Sequence, residues 1–183
     1  SLTKLDHPNV IRLYDYFKYK NNLFLVLEYC SGGTLEDIIS RNEDLFMHDK
    51  IKICSQIISA FKYCNDMSIA HHDIKTSNIL FDANKRVKIA DFGLSELIGH
   101  NNHKIEIKGT LRYLAPELCR RSSFDPFKSD VWSLGVLFFR LFTYQYPFNG
   151  RTVHELKEKI IEGYYPEILA GSIGKIVRNM LAM

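Results

Sequence analysis

The chain has 183 residues, 46% of them hydrophobic and 25% charged, and a formal net charge of +3. That composition supplies a core for one compact domain burying roughly 70% of its unfolded surface, and the charge is too small to argue for a nucleic-acid or membrane-surface partner. No apolar run reaches the about 20 residues of a membrane span. Ser1-Leu2-Thr3-Lys4-Leu5-Asp6 does not read as a signal peptide, and Cys30, Cys54, Cys64 and Cys119 form no Cys-x-x-Cys pair. Reduced thiols in a cytosolic protein are expected rather than a disulfide framework or a metal cluster.

In chain order, Pro8 holds His7 extended, and residues 10–17 alternate with many aromatics, which predicts a strand. Residues 18–22 read as a hairpin turn and residues 23–29 as a second, buried strand. Ser31-Gly32-Gly33 breaks that strand, and Thr34 or Gly33 caps a short helix to about Ser40, with Glu36 and Asp37 in its first turn. Residues 49–67 read as a long helix whose stripe of Ile53, Cys54, Ile57, Ile58, Phe61 and Cys64 forms core. Ile79-Leu80-Phe81 and Val87-Lys88-Ile89 flank a polar turn and predict a hairpin. A helix follows near Phe127, with Ser129 as its cap and Val131, Leu134, Leu137, Phe138, Leu141 and Phe142 as its apolar surface. Residues 152–162 predict an amphipathic helix capped by Thr152. Residues 173–181 begin another, with Ile173, Ile176, Val177, Met180 and Leu181 on one face. The chain starts without Met and stops inside that apolar pattern, so it reads as a fragment.

Three motifs carry chemistry: His71-His72-Asp73-Ile74-Lys75-Thr76-Ser77-Asn78, then Asp91-Phe92-Gly93, then Ala115-Pro116-Glu117. In this order and at this spacing they resemble the catalytic loop, magnesium loop and activation-segment end of eukaryotic protein kinases. Lys75 resembles the serine/threonine branch, and the flavour is that of calcium/calmodulin-dependent-kinase-like enzymes. The resemblance implies an α+β fold with a mostly helical large lobe. Residues 1–29 would be the last two strands of the small-lobe sheet and residues 30–183 the hinge and large lobe.

By the same resemblance Asp73 is the catalytic base, Lys75 the cation near the transferred phosphoryl group, and Thr110 ties the two together. Asn78 and Asp91 hold magnesium. Leu27, Glu28, Cys30, Thr34 and Leu80 join Asp91 in the ATP site, with Leu27 as gatekeeper, Glu28-Tyr29-Cys30 as hinge and Leu80 as adenine floor. Leu13, His71 and Phe92 belong to an apolar spine, and Asp130 accepts hydrogen bonds from the catalytic-loop backbone. The implied function is transfer of the ATP γ-phosphoryl group to protein Ser/Thr hydroxyls in the cytoplasm or nucleus. The alternative class is a catalytically weak pseudokinase or a nucleotide- or peptide-binding module. The glycine-rich loop, its Lys and the small-lobe Glu are absent from these residues, so this polypeptide alone is expected to bind ATP poorly and to be inactive.

Two departures from the family pattern stand out. His72 replaces the usual Arg before the catalytic Asp, and no Ser, Thr or Tyr lies between Ser95 and Gly109. Either Glu106 orders the loop by pairing with protonated His72 or a nearby Lys, or the loop is simply solvated. Where basophilic relatives carry three acidic residues, this chain has Ser77, Arg112 and Arg140. That reversal of charge predicts poor use of Arg-rich peptides and tolerance of acidic ones, unless Arg112 and Arg140 merely decorate a surface.

Overall fold

Alternating aromatic and aliphatic residues make the first hairpin. In the computed structural model, which describes residues 5–91, 110–120, 123 and 125–182, Leu13–Tyr19 (β1) pairs antiparallel with Asn22–Leu27 (β2). The two-residue turn puts Lys20 at φ 53°, the left-handed geometry that matches the twist of tight hairpins. Phe17 and Phe24 are register partners and stack at 5.1 Å. The first strand starts later than the sequence suggests. Residues 9–11 leave the hairpin to bridge Ile89, with Ile11 N–H donating to Ile89 O at 2.9 Å and Ile89 N–H to Asn9 O at 2.8 Å. The second strand is not buried as expected, since Leu23, Phe24, Val26 and Tyr29 are all exposed.

The described chain divides into two compact units, Ser1–Ala70 with Thr76–Ile98, and His71–Lys75 with Gly99–Met183. In the first, Leu35–Ser40 (α1) starts at a capping box. Thr34 Oγ1 accepts Asp37 N–H at 3.1 Å while the Asp37 carboxylate accepts Thr34 N–H at 2.8 Å. Met47–Asp66 (α2) has Phe46 as its cap residue and Asp49 in its first turn. Its buried stripe is Ile53, Ile57, Ala60 and Cys64. Ile58, expected in that stripe, is exposed.

The helix α2 packs on the second hairpin, Ile79–Phe81 (β3) with Val87–Ile89 (β4), in the register Ile79↔Ile89. Gln56 Oε1 accepts Val87 N–H at 2.9 Å and an Asn9 amide N–H at 3.0 Å, while Asn9 also donates to Val87 O. These bonds satisfy polar groups that the apolar surroundings would otherwise penalise. Asp82 closes the hairpin turn by accepting the N–H groups of Asn84 and Arg86. Gly32 lies so close to this hairpin that a Cβ there would sit 2.7 Å from Phe81 Cβ.

The second unit is helical: Pro116–Cys119 (α3), Pro126–Thr143 (α4), Val153–Glu162 (α5) and Gly171–Met180 (α6). Asp125, not Ser129, caps α4, because Pro126 occupies the first helical position and needs no N–H acceptor. Ser129 is buried one turn in, and Val131, expected in the apolar surface, is exposed. Trp132 stacks on Phe148 at 5.6 Å, and Tyr165 meets Phe139 and Phe148 edge-on. Gly135 lets α6 approach, since a Cβ there would lie 2.9 Å from Leu181 and Met180. Val177 and Leu181 fill that contact, whereas Ile176 faces solvent. The result is a mostly helical α+β chain with two small antiparallel sheets. No described helix is long and apolar enough to cross a membrane.

Candidate active site

In the second unit, α4 fixes the loop His71–Lys75. Asp130, in its second turn, is 7% exposed, and its carboxylate accepts His71 N–H at 2.6 Å and His72 N–H at 3.0 Å. Charge-assisted bonds of this length are the stronger kind. They hold a strained backbone, because His72 sits at φ 67°, a conformation that L residues adopt at a cost. His71 is 1% exposed, and its Nδ1 accepts the Asp73 N–H at 3.2 Å. Lys75 Nζ lies 2.6 Å from Asp73 Oδ2, with side-chain exposures of 26% and 37%. A half-open carboxylate with a cation beside it is the chemistry a general base near a developing negative charge requires.

In the same unit the turn Thr110–Tyr113 is held by α4 as well. Ser133 Oγ donates to Tyr113 O at 2.7 Å. The Thr110 side chain lies outside the described residues, as do Phe92 of the expected spine and Glu106 of the expected loop pair. Arg112 and Arg140 are not surface decoration. Arg140 is buried, and both guanidinium groups stack on the Tyr146 ring, at 4.4 Å for Arg112 and 3.7 Å for Arg140.

The first unit carries the other candidates. Asn78 is buried at the end of the turn Thr76–Asn78, whose Thr76 hydroxyl donates to the Glu36 carboxylate of α1. The Asn78 carbonyl accepts Ala90 N–H at 2.9 Å, which fixes the residue before Asp91 against the Asn78 backbone. Asp91 is exposed and sits at φ 62°, like His72 in the left-handed region. An Asn carboxamide and an Asp carboxylate are hard oxygen donors. Among the described residues no cluster of three or more His, Cys, Asp or Glu makes a closed cage. Two donors fit magnesium, which keeps waters and takes its remaining ligands from phosphates.

Leu80 bridges Thr34, and Gly32 N–H donates to Phe81 O at 2.8 Å, so the segment after β2 lies along β3. Leu27 ends β2, half-buried. Cys30 is half-buried, and burial, reinforced by Glu28, pushes its thiol above the ordinary range, so it stays protonated. The Thr34 hydroxyl is engaged in the α1 cap. The Glu28 N–H donates to Arg12 O at 2.8 Å, and its carboxylate binds Lys88 Nζ at 2.8 Å.

Lys88 escaped the sequence reading. In a Val-Lys-Ile strand the alternation places Lys on the face opposite its neighbours, normally solvent. Here it is 8% exposed, and a Glu 60 positions away is not a local signal. Tyr146 was missed for the same reason: nothing in the order of residues marks an aromatic that two distant arginines will share.

A family profile described as protein kinase domain matches residues 1–177. A protein of Mus musculus carrying the name sperm motility kinase W is 38% identical over 185 residues, covering 100% of this chain and 37% of that protein. CBL-interacting protein kinase 1 of Oryza sativa subsp. japonica is 35% identical over 186 residues, covering 99% and 40%. The chain thus spans well under half the length of these curated relatives.

Proposed function

Since the chain belongs to the protein kinase family, we propose that it forms the catalytic segment of an ATP- and magnesium-dependent protein serine/threonine kinase. Residues 1–29 are then the last small-lobe strands, and residues 30–183 the hinge and large lobe. Asp73 accepts the proton of the attacking Ser or Thr hydroxyl. Lys75 holds that carboxylate in place and offsets negative charge on the phosphoryl group, and Thr110 steadies the pair. Asn78 and Asp91 hold magnesium, which when bound neutralises phosphate charge.

The nucleotide takes its adenine contacts along Leu27, Glu28 and Cys30, over Leu80, with Thr34 at the margin. Because the Glu28 N–H is already bonded to Arg12 O, the hinge role falls to the Glu28 carbonyl and to Cys30. The protein substrate is met inside the cell, in cytoplasm or nucleus. The observation that carries this reading is the doubly bonded Asp130 carboxylate under His71 and His72, with Lys75 on Asp73. It is a catalytic loop organised before substrate arrives.

The test is autophosphorylation of the full-length protein with magnesium and ATP, followed by phosphoamino-acid analysis. Phosphoserine or phosphothreonine that disappears in Asp91→Ala is expected. Label that persists in that variant, or is confined to tyrosine, overturns the assignment.

A further inference from the structure

Helix α1 holds the segment that carries Asn78 from both sides. Before Asn78, the Thr76 hydroxyl donates to the carboxylate of Glu36, in the first turn of α1. After it, Thr34 bridges Leu80. Gly32 N–H donates to Phe81 O at 2.8 Å, and Gly33 O accepts Phe81 N–H at 3.0 Å. Between these anchors lies the single turn Thr76–Asn78, of the tight kind whose own hydrogen-bond geometry is poor. Thr76 is 1% exposed, so its hydroxyl cannot trade the Glu36 bond for one to water. A hydroxyl on a carboxylate is also the stronger, charge-assisted kind of bond. The other Glu36 oxygen accepts the Ser40 hydroxyl at 3.2 Å, so the carboxylate is oriented within its own helix as well.

We propose that Glu36 and Thr76 are positioning residues for the metal-holding carboxamide of Asn78. The proposal rests on the kinase reading, because it takes Asn78 as a magnesium ligand. Thr76 fixes the turn two residues ahead of Asn78, and its branched side chain has a stiff χ1 that keeps the hydroxyl aimed at α1. Ala90 N–H donates to Asn78 O at 2.9 Å and fixes the backbone of the ligand itself. Because Ala90 precedes Asp91, a shift of the turn displaces the backbone beside both oxygen donors. Outer partners of this kind set the direction of a ligand rather than touching the metal.

Manganese, a divalent cation with the same preference for oxygen ligands, serves as the probe, its free concentration read by electron paramagnetic resonance. It is titrated into the full-length protein together with a non-hydrolysable ATP analogue. In Thr76→Val its dissociation constant should rise about tenfold, the low end for loss of an outer partner, because the bond acts through the turn. Thr76→Ser keeps the hydroxyl and should restore most of the affinity. Glu36→Gln keeps a neutral acceptor and should fall between the two. Glu36→Gln combined with Thr76→Val should be no worse than Thr76→Val alone, as expected of two ends of one bond. Affinity for the nucleotide without metal should be kept in every variant, which general damage to the fold would not give. In steady state the magnesium needed for half-maximal turnover should rise in parallel, with kcat recovered at saturating magnesium.

Parent manganese affinity in Thr76→Val, or equal losses in Thr76→Val and Thr76→Ser, overturns the proposal. Asn78→Ala separates that result from a failure of the kinase reading. If Asn78→Ala weakens manganese binding and Thr76→Val does not, only the positioning role falls. If Asn78→Ala leaves manganese binding untouched, Asn78 is not a ligand, and the kinase reading of the metal site falls together with the proposal.

Discussion

Replacing Asp130 tests how the loop is held. In Asp130→Ala two amide donors lose a charged acceptor. His71 is 1% exposed, so its N–H has no water to turn to and carries the full penalty for a buried unsatisfied donor, about 1–3 kcal/mol. The His72 N–H belongs to an exposed residue and recovers most of its loss by hydration, so it adds at most about 1 kcal/mol. The sum is about 1–4 kcal/mol, felt locally in a loop that also stores the strain of His72 at φ 67°. Asp130→Asn keeps one acceptor oxygen and should lose about half as much.

Amide hydrogen exchange of the full-length protein reads this directly. The His71 amide should exchange roughly 5- to 1000-fold faster in Asp130→Ala, while amides at the centre of α4 keep their protection. Turnover should fall about 100-fold, the cost of an about 1 Å misplacement of a reacting group. Unchanged exchange at His71 would refute the reasoning, because the carboxylate would then not be what holds the loop.

Three other outcomes are expected. Lys88→Met strands the Glu28 carboxylate at side-chain exposures of 10% and 20% and should cost about 2–4 kcal/mol, less than the fully buried case. Adding Glu28→Gln should recover most of that in a double-mutant cycle of urea midpoints, and simple additivity would show the pair to be uncoupled. His72→Gly relieves a left-handed backbone and should stabilise by up to about 1 kcal/mol in the same assay, whereas His72→Val should destabilise; reversed signs would contradict the observed φ.

Stability should fall on acidification in two stages. Burial, then Lys88, depresses the His7 imidazole, so the unfolded chain takes that proton first as pH drops below about 6.5. Asp37 is lowered by its bonds to Thr34. Asp82 is raised by burial but lowered more by its bonds to Arg86 and Asn84. These carboxylates withdraw their stabilisation below about pH 4. His7→Gln should flatten only the upper stage of a Tm-against-pH profile.

The caps at Thr34 and Thr152 and the second hairpin were legible because each is written in adjacent residues. Thr34 with Asp37 and Asp82 with its turn need only local geometry, whereas the loop His71–Lys75 also needs Asp130 of α4. What the sequence hid is long-range. Residues 9–11 leave the first hairpin for Ile89 because a backbone pairing across 78 positions outweighs local alternation. The Ser129 cap failed because Pro126 already satisfied the first-position preference. Ile58, Val131 and Ile176 face solvent because an apolar periodicity marks which residues could be buried, not how wide the covered face is. The Tyr146 stack and the Glu28–Lys88 pair depend on side chains meeting from separate segments, and they changed the meaning of Arg112, Arg140 and Glu28.

The central claim is that Asp73 takes a proton from a Ser or Thr hydroxyl. Single-turnover transfer from ATP to a protein acceptor, measured on the full-length protein and on Asp73→Asn at matched nucleotide occupancy, tests it most directly. The account predicts a rate lower by about 10²–10⁴ with ATP affinity kept; transfer at the parent rate in Asp73→Asn would contradict it.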